Sequence, residues 1–463
     1  MSRRFRTCDL NQPYLMPPSL QDWLPKNHLA RFIADVTDEL DLTAICAEYE
    51  RRDGRGVLGY HPVLMIRVLL YAYAVGITSS RRIEKATYED VAIRFLAADQ
   101  HPDHDTIAAF RQQHLERLAA LFAQALDMCR RAGLVKLGNV ALDGTKVQAS
   151  ASRNHSFSYQ RLSEQEQRMK ALVEEMLATA ERTDREEDER YGRGCCGDEL
   201  PPDLADAKSR LEKIRAAKIE LEREAAEQLA QAEREHTRAG VRGRPPKGFE
   251  HVAPEEAQRR SNRLRRARQK AAHPSRQYNF TDPDSRVMRD NGKGAFVQGY
   301  NAQAAVDAAA QVIVAAEITQ DVVDRNQLLP MCTRMQQELG ELPAVITADA
   351  GYWNTVEIEA VSQQGVEVLV APDAMNEWAA PRSGNVSEAV RRMRERLRSG
   401  PGKMLYAVRR CTVEAVFGQI KSVRRLDRFS FRGLEKVKAE WRLFCLTHNL
   451  LKLYRAKTKP LPC

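Results

Sequence analysis

The sequence predicts an α/β core built on a mixed sheet with flanking helices, an all-α N-terminal domain and a charged helical insertion. Three observations carry this. Residues 18–136 repeat apolar side chains at helical spacing, strand-like runs recur later among helical ones, and a long polar stretch separates the first strand run from the next. A chain of 463 residues with 43% apolar content has enough material for two or three domains. The predicted boundaries are 18–136 for the helical N-terminal domain, 137–152 plus 295–456 for the α/β core, and 153–294 for the insertion.

In the N-terminal part, LARFIADVTDELDL at 29–42 has the period of an amphipathic helix. Pro62 opens VLMIRVLLYAYAVG in the first turn, where a missing N–H costs nothing, and Gly76 stops it. Thr78, Ser79 and Ser80 supply a cap-like start for the next helix. Asp105 or Thr106 is expected to cap a helix carrying Phe110, Leu115, Leu118 and Phe122 on one side. His101, His104 and Asp105 resemble metal ligands at first sight, but capping and local turns account for them more simply.

The period changes at LVKLGNVALDGTKVQASAS, where a strand over 139–147 holds Asp143 beside Gly144. Two long charged helices are predicted within 153–294, with Leu204, Leu211, Ile214 and Leu221 as a weak seam for an antiparallel pair. RAGVRGRPPKGFEH reads as a loop. The strand signal resumes at Ala295, giving a hairpin over 296–318 that turns at Asp307–Ala309. A helix at 325–340, a strand at 344–348, a further helix and a strand at 366–370 follow. Alternating strands and helices of this kind make a layered α/β domain.

The formal charge of +9 is concentrated in arginine-rich stretches at 242–276 and 382–438, which favours a polyanionic partner. The nine cysteines lack zinc-ribbon or finger spacing, and Cys195 and Cys196 are adjacent, so a reducing cytosolic compartment is expected. The N-terminal MSRRFRTCDLNQPYL lacks the apolar core of a signal peptide. VLMIRVLLYAYAVGI is too short for a membrane span and is interrupted by Arg67, so a soluble chain is expected.

Two aspartates then stand out. ITADAGYW ends an apolar strand on Asp349, as ALDGTKV places Asp143 in another strand of the same sheet. Buried carboxylates without partners are costly, and two that converge suggest a hard divalent ion with oxygen ligands. A third acid is available in MLYAVRRCTVEAVFGQIKSVRRL, expected as one helix over 404–426. There Val413, Phe417, Ile420 and Val423 form an apolar stripe, with Arg410, Glu414 and Lys421 on the other side.

At these motifs the chain resembles the DDE transposases of bacterial insertion sequences, which have a ribonuclease-H-like catalytic core. ALDGTKV and TADAGY resemble the two aspartate motifs. Tyr406, an arginine, Glu414 and Lys421 resemble the helix motif, and YHPVLMIRVLLYAYAVGITSSRRIE resembles the helical N-terminal domain of many such enzymes. TDPDSRVM and GYNAQAAVD resemble the linker and second strand of the same subgroup. One departure concerns the arginine. Three residues lie between Tyr406 and Arg410 where the family has two, while Arg409 restores that gap and spoils the next.

The resemblance implies Asp143, Asp349 and Glu414 as catalytic metal ligands for two Mg²⁺ ions, with Mn²⁺ able to substitute. Tyr406, Arg409 or Arg410, and Lys421 would contact or orient DNA phosphates. It also implies double-stranded DNA as partner (terminal inverted repeats and target), a homo-oligomer that is dimeric on DNA, and a cytoplasmic protein associated with the nucleoid. Arginines in ARQKAAHPSR and SVRRLDRFSFRGLEKVKAEWR are candidates to follow a duplex backbone. Two alternatives share these residues: an inactive transposase-derived DNA-binding protein, and a nuclease of the same superfamily without strand transfer.

Overall fold

The computed structural model describes residues 19–50, 59–191, 202–237, 254–272, 277–290, 294–371 and 387–458. The N-terminal stretch 1–15, Cys195 and Cys196, and the loop at 238–251 lie outside the described residues. The chain forms two compact units. One runs to Val147 and resumes at Asn301, and the other spans Gln148–Tyr300.

The first unit opens with α1 (Leu29–Glu39), α2 (Thr43–Glu50), α3 (Pro62–Val75), α4 (Ser80–Glu89), α5 (Val91–Leu96) and α6 (His104–Arg131). Pro62 begins α3 as its sequence predicts, and the His61 side chain accepts from the Val63 N–H. The helix ends on Gly76 at φ +83°, where an added Cβ would lie 3.0 Å from the Arg424 Cα, so glycine is required by conformation and by space. The α6 cap is Asp103, two or three residues earlier than expected: its carboxylate accepts from the Thr106 N–H at 2.7 Å. Phe110, Leu115, Leu118 and Phe122 of α6 are buried. His104 bonds Glu84, and His101 bonds Thr87 and stacks on Tyr88, so these histidines serve the packing of α4 on α6.

The sheet of this unit consists of β1 (Asn139–Gln148), the second half of β5 (Ala295–Asp307), β6 (Ile313–Thr319), β7 (Val345–Ala348) and β8 (Glu367–Val370), in the order β6-β5-β1-β7-β8. Strands β5 and β6 are antiparallel, whereas β1, β7 and β8 are parallel. The β5–β6 turn forms where Asp307 accepts from the N–H groups of Lys136, Leu137 and Ala309, which keeps a buried carboxylate fully bonded.

Helices α10 (Leu328–Leu339), α11 (Thr355–Gln363), α12 (Glu388–Arg398) and α13 (Gly400–Arg409) flank the sheet. The helix expected over 404–426 continues from α13 to Val423, but its winding changes along the way: a π-helical turn at Arg410–Glu414, the short α14 (Ala415–Gly418) and a second π turn at Gln419–Val423. Val413, Phe417 and Ile420 are buried as expected, but Val423 is 70% exposed, because the second π turn carries it off the apolar stripe. The last helix, α15 (Leu434–Thr458), is buried along most of its length and packs on α6, α3 and β6. It joins the N-terminal helices and the sheet in one core.

In the second unit, α7 (Tyr159–Tyr191) and α8 (Pro202–Thr237) pack as the expected pair, with Leu211, Ile214 and Leu221 buried. A third helix, α9 (Pro254–Ala272), packs on α8, and part of its arginine run is occupied there: Arg263 pairs with Glu235 and Arg268 with Glu233. Three short strands precede Ala295, where none was expected: β2 (Ser156–Ser158) pairs with β3 (Gln277–Asn279), and β4 (Arg286–Asp290) pairs with the first half of β5. Three-residue strands leave almost no period in a sequence. Phe157, Tyr278 and Phe280 cover the cluster of Leu162, Ile214, Ala217 and Leu221.

Among the described residues no single helix is long and apolar enough to cross a membrane.

Candidate active site

Strand register brings the two aspartates together. Leu142 of β1 lies opposite Ala348 of β7 in the parallel pair, and the next residues are Asp143 and Asp349. Adjacent strands lie about 4.8 Å apart, so these carboxylates are neighbours on one sheet end. Asp143 Oδ1 accepts from the Gly144 N–H at 2.8 Å, and its Oδ2 accepts from Arg409 Nη1 at 3.2 Å. Asp349 caps the turn Ala350–Tyr352, accepting from the Gly351 N–H at 2.9 Å. Burial pushes the Asp143 carboxyl up to about 7; the Asp349 charge adds to this and Arg409 opposes it. Asp349 is also raised, by burial and then by the charge of Asp324, with Arg409 again opposing.

Arg409 is 8% exposed, lies 5.8 Å from the centre of the Tyr406 ring, and leaves its Nε without a partner. Arg410 is exposed and, among the described residues, makes no ion pair. The ambiguity between the two arginines therefore has a structural answer: Arg409 meets the aspartates. The π turn that follows absorbs one extra residue before Glu414, the same one-residue excess that the motif spacing shows. Lys421 Nζ donates to Thr145 Oγ1 at 3.1 Å and to the Lys146 carbonyl at 3.0 Å, so it braces β1 just past Asp143. Glu414 is exposed and, among the described residues, bonds neither aspartate.

A residue not singled out from the sequence completes the cluster. Asp324, in the segment between β6 and α10, accepts at Oδ1 from Asn301 Nδ2 (2.6 Å), Gln303 Nε2 (2.7 Å) and Lys146 Nζ (3.3 Å). Gln303 also accepts from the Tyr352 hydroxyl, and its carbonyl accepts from Trp441 Nε1 at 3.0 Å, so a buried polar network backs the site. The only trace of Asp324 in the sequence is an acid between a strand and a helix, and its pairing partners are up to 178 residues distant.

The donor chemistry fits a hard divalent cation. Two adjacent carboxylates resist ionisation through burial and mutual charge, and a cation between them would relieve both. Among the described residues no three His, Cys, Asp or Glu side chains are gathered closely enough to hold a metal ion by themselves. The structure thus shows two acids brought together, with Glu414 exposed at the end of the π turn that follows Arg409.

A mixed sheet in this order, with two aspartates side by side where the β1–β7 pairing ends, has the architecture of a ribonuclease-H-like core. Two family models match: the transposase domain (DUF772) over residues 18–113 and the transposase DDE domain over residues 271–450. The chain belongs to the DDE transposases of insertion elements. No curated protein and no solved structure matches it. Two of the candidate arginines for duplex contact are engaged internally: Arg424 is buried against the carbonyls of Tyr73 and Phe444, and Arg442 pairs with Glu338.

Proposed function

We propose that the chain binds the terminal repeats of its own mobile element and catalyses metal-dependent DNA strand cleavage and strand transfer, with Asp143, Asp349 and Glu414 as its catalytic acids. The observation that carries this reading is the register-fixed pair Asp143–Asp349, countered by the buried Arg409. Divalent cations held by the three acids, Mg²⁺ in the cell with Mn²⁺ as substitute, would activate the attacking water or 3′-hydroxyl and stabilise the leaving oxygen. Arg409 fixes the Asp143 carboxylate and offsets its charge while the site is empty of substrate. Tyr406 packs against Arg409, and Lys421 holds the backbone beyond Asp143 in place. Arg410, exposed on the helix surface, takes a DNA phosphate. No protein nucleophile is needed, so exposed Cys411 has no part in the chemistry.

The test is a duplex carrying the element's terminal repeat, incubated with the protein and Mg²⁺ or Mn²⁺. Cleavage at the element end is expected, followed by joining of the 3′-hydroxyl to target DNA. Asp143→Asn, Asp349→Asn and Glu414→Gln should each reduce cleavage to near background while DNA binding persists. Cleavage retained in one of them removes that residue from the site. Cleavage without joining identifies a nuclease, and specific binding without cleavage by the unaltered chain identifies a regulator. Two copies of the chain on paired ends are expected by light scattering of the complex.

A further inference from the structure

We propose that Asp324 is a positioning residue for the aspartate pair: a fixed negative charge, not a ligand, that raises the pair's affinity for a divalent cation. This rests on reading Asp143 and Asp349 as the cation site. Three observations support it. First, Asp324 is immobilised from behind, since one carboxylate oxygen takes Asn301, Gln303 and Lys146 together. Such saturation leaves that oxygen no capacity to bind a metal while retaining its charge.

Second, its carboxylate is wedged between the backbones that follow the two aspartates. A Cβ on Gly144 would lie 2.6 Å from Asp324 Oδ1. A Cβ on Gly351 would lie 3.7 Å from Asp324 Oδ2 and 3.0 Å from Asp349 Oδ1. The approach at Gly144 depends on glycine, and the one at Gly351 is ordinary van der Waals contact. Third, Asn301 is fully buried and, among the described residues, its Oδ1 has no hydrogen-bond partner, although buried polar atoms rarely go unbonded. That oxygen would stand 2.8 Å from a Cβ on Gly144, so it is directed at the strand bearing Asp143. An unpaired oxygen dipole and a fixed carboxylate both lower the potential where a cation would sit, and Lys146, which donates to the same carboxylate oxygen, opposes them. A loop anchor would need none of this negative potential.

The charge and the anchor separate experimentally. Asp324→Asn keeps an oxygen for Asn301 and Gln303 and removes the charge. Lys146→Met removes the positive charge beside it. Mn²⁺ binding to the full chain without DNA, followed by the electron paramagnetic resonance of free Mn²⁺, should be lost in Asp143→Asn. It should weaken about tenfold in Asp324→Asn at unchanged melting temperature, the scale of outer-sphere substitutions at metal sites. In Lys146→Met it should tighten about threefold. Opposite signs in the two variants are the signature of a field, which a structural anchor would not produce. Unchanged affinity in folded Asp324→Asn overturns the proposal. If that variant does not fold, weaker binding by Lys146→Met overturns it instead. An unaltered chain that binds no Mn²⁺ removes the cation site itself, a result distinct from both.

Discussion

Arg409 and Arg410 are adjacent in sequence and opposite in environment. Arg409 is buried on Asp143, so Arg409→Gln should strip the aspartate pair of its counter-charge and lower cleavage at least about tenfold at saturating DNA, with little effect on DNA affinity. Arg410 is exposed. Arg410→Ala should leave cleavage chemistry intact, weaken specific and random duplexes alike, and reduce the slope of log K against log salt by about one unit. Equal slopes for the variant and the parent would place the phosphate contact elsewhere. The aspartate pair was legible because each acid directly follows an apolar strand run, and strand pairing turns that position into contact. The choice of arginine was not legible, because a regular helix was assumed and the π turn redefines which side chain faces the sheet. Asp324 was hidden for a different reason: its meaning lies wholly in Asn301, Gln303 and Lys146, none of them near it in the chain.

At the scale of elements, the π turn at Arg410–Glu414 sets the phase between Arg409 and everything after it. Because that turn absorbs one extra residue, deleting Cys411 should restore regular winding with Arg409 and Glu414 still on their faces. Cleavage should then stay within about tenfold of the parent while cooperative unfolding persists. Loss of cleavage in a folded deletion would show that the turn itself, and not only the phase it preserves, is needed. The insertion makes a second case. Its helical pair was readable from charge and helix propensity, but not its seating on Tyr278 and Phe280, whose partners lie on far-separated segments. Replacing 170–209 by a short Gly/Ser linker keeps Leu162, Ile214, Ala217 and Leu221 together, and the chain should melt within a few degrees of the parent. Replacing 157–240 uncovers both aromatic rings and should lower solubility and melting temperature. Equal melting of the two would mean that the cluster adds nothing.

Across the whole first unit, α15 ties the N-terminal helices to the sheet, and its His448 is enclosed between the Gln311 carbonyl, at 2.9 Å, and the Gln419 side chain. Burial pushes its imidazole down to about 3, with Arg424, Lys452 and Arg455 adding repulsion. A histidine whose folded value lies below its unfolded value of about 6.5 contributes stability that is present above that value and lost as pH falls towards 3. Denaturant midpoints of the metal-free chain should therefore drop between pH 6.5 and 4, by at most about 1.4 kcal/mol per pH unit from this group. His448→Gln should flatten that limb, and an identical acid profile would remove His448 as its cause. The same unit has a history as well as a shape. Asn139 is synthesised roughly 200 residues before Val345, the strand partner that sets Asp143 beside Asp349. At about 5–20 residues per second, that interval is about 10–40 s of translation. During it the nascent polypeptide carries only one of the two paired acids, so any product that terminates before Asp349 never acquires the pair.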